Sequence, residues 1–191
     1  MKVILESYNP EWPLKFRQVQ GQLLSILKDV PIISIEHVGS TSIPSMKAKP
    51  VLDIDIIVPA SSLSAARSAL SNAGYTDCGE MNIPGRVAFR QPDYGKLDAA
   101  HGTGVPGELR RHTYVVVEGC LALRNHLDVK RVLLEDQALR DEYALVKSNL
   151  EDKDFEHMGQ YVAGKTEILC KILRKAGWSE EELEPVIEAN R

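Results

Sequence analysis

The 191-residue chain is poor in cysteine, in aromatic residues and in long apolar runs, and it has no excess of basic charge. Cys78, Cys120 and Cys170 lie far apart and form no C-x-x-C pair, which excludes the usual zinc spacing. Sparse, odd-numbered thiols suit a reducing compartment, so a cytoplasmic location is expected. The opening MKVILESYNPEW reaches charge and proline too early for a secretion signal. No stretch approaches the roughly 20 apolar residues of a membrane helix, so no membrane partner is expected. With 23 Lys+Arg against 27 Asp+Glu the formal net charge is −4, and no stretch mixes basic and aromatic residues. Phosphate backbones are bound by clustered basic residues, so a nucleic-acid partner is not expected either. Nothing specifies an oligomeric state.

What is present reads as α/β, more closely α+β. Trp12, Phe16, Val19, Leu23, Leu24 and Leu27 recur at helical spacing, with Pro13 in a first turn and Pro31 as a stop. IISIEHV and PVLDIDIIV read as strands, and SSLSAARSALSNAG as a helix ending at Gly74. RVAFRQ and RRHTYVVVEG are further strands by their β-branched and aromatic content. From Cys120 onward the pattern is helical, with a break expected near Asp128, one helix from Glu156 ending at Gly177, and a last helix capped by Ser179 and Glu182. The expected organisation is an α/β core over 1–118, including the first helix, and a helical region over 119–191 packed on it as one unit.

Asp53 and Asp55 alternate with isoleucine in the second strand. Side chains alternate across a strand, so both carboxylates share a face and Ile54 and Ile56 take the other. Two carboxylates so placed are candidate ligands for a hard divalent ion, Mg²⁺ or Mn²⁺, and candidate catalytic residues. The preceding strand ends on Gly39-Ser40-Thr41, where a glycine lets backbone approach an anion. Lys47 and Lys49 lie between the two elements. A strand face exposed to water and an ordinary turn would explain either half alone; together, in strand–turn–strand order, they point to a nucleoside triphosphate, ATP first, held by its phosphates on the turn and its metal on the aspartates.

The stretch EHVGSTSIPSMKAKPVLDIDIIV resembles the signature H-[IV]-G-S-T-[AS]-[VI]-P-G-L-x-x-K-P-x-x-D-[IL] of the GrpB family, within the nucleotidyltransferase superfamily of polymerase-β-like fold. YNPEWPLKF, RHTYVVVEG, LALRNHL, YALVK and YVAGKTEIL resemble further family motifs in the same order, so the likeness spans nearly the whole chain. It implies a nucleotidyltransferase-like mixed sheet with flanking helices and a C-terminal helical region. Some relatives are joined to an enzyme of coenzyme A synthesis, which implies small-molecule metabolism. Ser45 and Met46 stand where the family has Gly-Leu, Tyr114 where it has a second histidine, Asn125 where it has aspartate, and KLDAAHGTGVPGEL is longer than the family loop.

A nucleotidyltransferase site usually has a third carboxylate. Glu118 is the first candidate, sharing a face with His112 and Tyr114 by period two; Asp98 is the second. His112 is a candidate general base. His37, Arg86, Arg90, Tyr114 and Arg124 are candidate substrate contacts, the arginines by their planar fork for phosphate or carboxylate. Tyr161 and Lys165, four apart, are candidate nucleotide contacts, whereas Tyr143 and Lys147, at the same spacing, read as structural. The expected function is a metal-dependent nucleotidyltransferase-like enzyme acting on an NTP and a small-molecule acceptor. The alternatives are NTP-dependent activation or condensation of a carboxylate, a non-redox cyclisation, or a nucleotide-binding module without turnover.

Overall fold

A computed structural model describes residues 2–92, 108–151 and 153–190. Helix α1 (Trp12–Ile26) carries its proline in the first turn and leads to strand β1 (Ser34–Val38). A 3₁₀ turn over Ser40–Ser42 follows, then β2 (Val51–Val58), a second 3₁₀ turn over Ala60–Ser62, α2 (Leu63–Asn72), β3 (Thr76–Asp77), β4 (Arg86–Arg90) and β5 (Arg110–Val117). The helical region is α3 (Leu121–Glu135), α4 (Gln137–Glu151), α5 (Met158–Ala163), α6 (Thr166–Lys175) and α7 (Glu180–Ala189).

The five strands form one mixed sheet in the order β1-β2-β5-β4-β3. β2 and β5 run parallel in the middle, and the other pairs are antiparallel. Leu52, Ile54, Ile56, Val87, Phe89 and Val115 leave one face of the sheet and pack with Trp12, Leu23 and Leu27 of α1 and its end and with Ala66 and Leu70 of α2. This is the main core. The opposite face carries Asp53, Asp55, His112 and Tyr114, and α3 covers its lower end through Ile57, Val116 and Leu123. A second cluster ties the turn after β1 to the helices through Ile43, Met46, Leu133, Leu139, Tyr143, Ile168 and Ile172. The helical region therefore packs on the sheet and leaves a cleft over the aspartate face.

Two helix boundaries differ from the sequence reading. The break expected near Asp128 falls at Asp136, whose backbone turns to φ −110°, ψ 99° and whose Oδ1 accepts from Leu139 N–H at 3.0 Å. Asp128 instead stays helical and binds Trp178, Arg131 and Arg124. The single helix expected from Glu156 to Gly177 divides into α5 and α6, with Lys165 at the N-cap position of α6. Gly164 sits at the joint, where a Cβ would come within 2.7 Å of Leu150 Cδ2. The terminal helix has the expected capping box, Ser179 with Glu182.

Candidate functional site

A cleft of about 1030 Å³ lies between the aspartate face of the sheet and the helical region. Its floor is the row Val38–Asp53–His112, residues directly opposite one another on β1, β2 and β5. The next row is Glu36–Asp55–Tyr114. The two aspartates do share a face. They do not share an environment.

Asp53 lines the cleft with its side chain 30% exposed, and its Oδ1 accepts from His112 Nδ1 at 2.9 Å. Burial pushes its carboxyl up, but the hydrogen bond and charge of His112, with His126 and Lys49 nearby, hold it below the usual carboxylate range. Asp55 is fully buried and does not line the cleft. Its Oδ2 accepts from His126 Nδ1 at 2.8 Å, a ring carried in by α3, and its Oδ1 has no hydrogen-bond partner. Each aspartate is thus held by its own histidine through Nδ1, and among the described residues no hydrogen bond engages Nε2 in either.

These contacts correct the expected metal pair. Two open carboxylates facing a common ion are not present: Asp55 is sealed beneath His126. Nor does β5 supply a third acid beside them. The positions on β5 beside the aspartates are His112 and Tyr114. Glu118 has the right parity but lies past the end of β5, exposed at the cleft rim. It is six residues beyond His112, about 20 Å along a strand, too far to share an ion with Asp53. Asp98 lies outside the described residues, as does most of the long loop. Among the described residues, no group of three His, Cys, Asp or Glu side chains could hold a metal ion. The described residues do not fit a two-ion carboxylate cage.

Positive charge takes that place. Lys49, Lys147 and Lys165 all line the cleft. Lys49 and Lys165 lie over the same ring, that of buried Tyr161, at 5.0 and 4.5 Å from its centroid. Lys147 lies 5.0 Å from the centroid of Tyr143 and donates to the backbone oxygen of Lys47. Burial, then the charges of Lys165 and Lys49, depress Lys147 to about 7. Burial and Lys165 bring Lys49 to about 8. Lys165 is lowered too, by burial, and Asp53 is the acid that opposes these shifts in all three. Lys147 and Tyr143, read from spacing as structural, therefore belong to the cleft. Tyr143 is hydrogen-bonded to Ser40, and burial pushes its hydroxyl up to about 12.

The glycine turn is built on Asp53. Gly39 has φ 68° and ψ −176°, and a Cβ there would lie 2.2 Å from Asp53 Oδ2. Ser40 faces the cleft, and Ser42 Oγ donates to Gly39 O at 2.6 Å. The Thr41 hydroxyl, expected as a phosphate contact, is committed elsewhere: it donates to Val51 O at 3.1 Å and accepts from His37 Nε2 at 3.0 Å. His37 is also not the expected substrate contact. It pairs with Ile54 and so points to the opposite face, stacked on Phe16 with ring centroids 4.7 Å apart. Burial and Lys130 depress it to about 4, so it is neutral. The pair is a buttress joining β1, the turn and β2. Thr41→Val removes the hydroxyl but keeps the shape, leaving a buried N–H and a buried C=O without partners. A loss of about 1–3 kcal/mol is expected, read as a lower urea midpoint. An unchanged midpoint would remove the buttress role.

Of the arginines, Arg86 lines the cleft with its guanidinium 4.5 Å from the Tyr114 ring centroid. Arg90 is opposite His112 on β4, but it is exposed and outside the cleft lining. Arg124, expected as a substrate contact, is also outside it: its guanidinium stacks on Trp178 and pairs with Glu182 and Asp128. His126 had no signal in the sequence beyond being a histidine on a helix.

Comparison with known proteins agrees with this architecture. The chain is 31% identical over 167 residues to the UPF0157 protein YqkA of Bacillus subtilis, covering 87% of this chain and 45% of that one, so it spans less than half of that relative's length. The crystal structure of the conserved protein GrpB from Enterococcus faecalis superposes with a TM-score of 0.71 at 24% identity, covering 92% of this chain and all of that chain, which shows the shared fold. A looser likeness, TM-score 0.43 at 14% identity over 74% of this chain and 45% of the other, is to the Cid1 poly(U) polymerase with MgGTP bound, and it carries nothing about the reaction here. The profile of the GrpB protein family matches residues 2–175, everything from the N-terminal segment through α6, and the chain belongs to the GrpB family.

Proposed function

We propose that the cleft binds a nucleoside triphosphate, ATP the first to test, and transfers its nucleotidyl group to a small-molecule acceptor. The observation that carries this reading is the convergence of Lys49, Lys147 and Lys165 on one wall with Asp53 as the acid that opposes their shifts. Three ammonium groups held close together in partial burial repel one another, and a bound polyanion relieves that repulsion. The Gly39-Ser40 turn lines the same cleft, and Tyr143, under Lys147, is hydrogen-bonded to Ser40, so a phosphate chain meets both. No separate partner is needed for this reading beyond nucleotide and acceptor, and a nucleic-acid or membrane partner is not part of it. Mg²⁺ or Mn²⁺ enters, on this reading, as the nucleotide's own counter-ion, because one open carboxylate is too few for a resident ion pair.

In the reaction, the lysines and the glycine turn hold the phosphates and offset the charge that builds on the leaving group. His112, with Nδ1 fixed by Asp53, presents Nε2 as the proton acceptor for an acceptor hydroxyl or amine. The replacement of a third acid by His112 also favours a second reading, in which the nucleotide binds without turnover. A product screen separates the two.

The first measurement is the melting temperature with ATP, ADP, AMP and inorganic triphosphate, because a ligand of the native state raises it by mass action. ATP and triphosphate should raise it more than AMP does. Lys165→Ala should weaken ATP binding about tenfold or more, the worth of one charged hydrogen bond. Identical shifts for AMP and ATP, or full affinity in Lys165→Ala, would refute the phosphate assignment.

A further inference from the structure

We propose that the far end of the cleft is an acceptor subsite for a small carboxylic acid with an apolar body. The cleft is larger than a single small ligand requires: about 1030 Å³ is at the top of the range of roughly 300–1,000 Å³ for drug-sized ligands. Beyond Tyr114 its lining becomes apolar, with Val117, Leu121, Ala122, Pro185 and Val186. Arg86 is set into that wall as its cation among the described residues, with Asn125 and Asn190 as further polar groups.

Arg86 is a built feature. Gly85 before it has φ 77°, and a Cβ there would lie 2.8 Å from Cys120 Cβ, so the turn into β4 presses against the start of α3 and fixes where Arg86 emerges. Its guanidinium stacks on Tyr114, and its Nε is buried without a hydrogen-bond partner. Among the described residues no carboxylate pairs with it. The acids that line the same end, Glu80 and Glu118, are exposed at the rim, and Glu80 Oε1 accepts from Gly85 N–H at 2.9 Å. A guanidinium fixed by its face keeps its edge for a ligand, and a carboxylate matches that edge with two parallel hydrogen bonds. The apolar lining supplies the rest of the recognition. Pro185 and Val186 come from α7, beyond the stretch to residue 175 that the family profile covers, so the α7 side of this wall is set by residues outside the family pattern, while Val117, Leu121, Ala122 and Arg86 lie within it.

The binding claim stands without the nucleotide; its chemical consequence rests on the nucleotide reading. Tyr114 is two residues from His112, so an acid on Arg86 lies beside the floor where the phosphates end. One carboxylate oxygen then attacks the α-phosphorus. The bond from that phosphorus to the oxygen bridging to the β-phosphate breaks, and pyrophosphate leaves with the electron pair. The product is an acyl nucleotide. The acid is already ionised, so no proton moves and no carboxylate base is needed.

The test uses matched acids and amides, namely benzoate with benzamide, phenylacetate with phenylacetamide and indole-3-acetate with indole-3-acetamide, titrated calorimetrically into the full chain without nucleotide. At least one acid should bind at least tenfold more tightly than its amide. Arg86→Gln should abolish the preference, and Arg86→Lys should retain part of it. Equal binding of acid and amide throughout the panel overturns the subsite, as does a folded Arg86→Gln protein that keeps the preference. If Arg86→Gln does not fold, the wild-type and Arg86→Lys comparison decides alone. Acid binding that tracks Arg86 while ATP fails to bind overturns the phosphate reading and leaves the subsite standing. With both ligands bound, acid-dependent exchange of labelled pyrophosphate into ATP is expected; its absence overturns the nucleotidyl-transfer step to the acid.

Discussion

Gly39→Ala should cost the protein both stability and ligand binding, by more than any other single methyl group added near the cleft. Gly39 occupies φ 68°, ψ −176°, a region open to glycine and closed to side chains. Forcing alanine there costs about 1–3 kcal/mol before any contact is counted. The new Cβ would also lie 2.2, 2.8 and 2.9 Å from Asp53 Oδ2, Cγ and Cβ. Asp53 has little room to retreat. Its Oδ1 is tied to His112, and β2 is held between β1 and β5. Either Asp53 abandons His112 or the end of β1 moves and carries the Ser40 turn with it. Each route dismantles the floor of the cleft. A total loss of about 2–5 kcal/mol in urea unfolding and a fall of two orders of magnitude or more in ATP affinity are expected. The double variant Gly39→Ala/Asp53→Ala separates the causes. Without the carboxylate the clash is gone, so part of the stability returns, while ATP affinity stays low. If Gly39→Ala matches the wild type in both measurements, the carboxylate is not packed against the glycine and the floor has been misread.

The same residues show what a sequence can and cannot disclose about this site. Strand parity put Asp53 and Asp55 on one face and Ile54 and Ile56 in the core, because a period of two is local and the sheet keeps it. His37, expected as a substrate contact, shares the core face with Ile35 two positions before it, because Gly39 leaves the strand with positive φ and the turn beyond it faces the other way. For Glu118 parity held, but register along β5 decided the outcome, and register is a long-range property. His126 and Lys147 were beyond reach for a related reason. Each meets the site only because α3 and α4 dock where they do, 71 residues from Asp55 in one case and 100 from Lys47 in the other. The departure at Ser45 is legible after the fact. Its φ is 65°, so the family's glycine fits the backbone there and serine strains it, while Met46 fills the buried position of the family's leucine.

Nucleotide affinity should fall by nearly three orders of magnitude between pH 7 and pH 9, although the unliganded fold grows more stable over the same range. The two trends have one origin. In the free protein, burial and mutual repulsion bring Lys147 to about 7 and Lys49 to about 8, from an ordinary value of 10.5. A folded-state value below the unfolded one means that the unfolded chain holds more protons between about pH 7 and 10.5. Stability of the free protein therefore rises with pH across that window, and below pH 7 the full cost of the buried charges is present. A triphosphate reverses the preference. Bound between the lysines it favours their charged forms, so above pH 7 each lysine that has lost its proton must regain it on binding. Each such group costs tenfold in affinity per pH unit above its free-protein value, first Lys147 and then Lys49. Calorimetry in buffers of different ionisation enthalpy should show proton uptake on ATP binding that grows from pH 7 to pH 9. Lys147→Met should remove the earlier part of that uptake and flatten the affinity profile near pH 7, whereas a general loss of structure would lower affinity at every pH alike. ATP binding with no proton uptake, or with affinity constant from pH 7 to 9, would mean that the phosphates do not lie among these lysines.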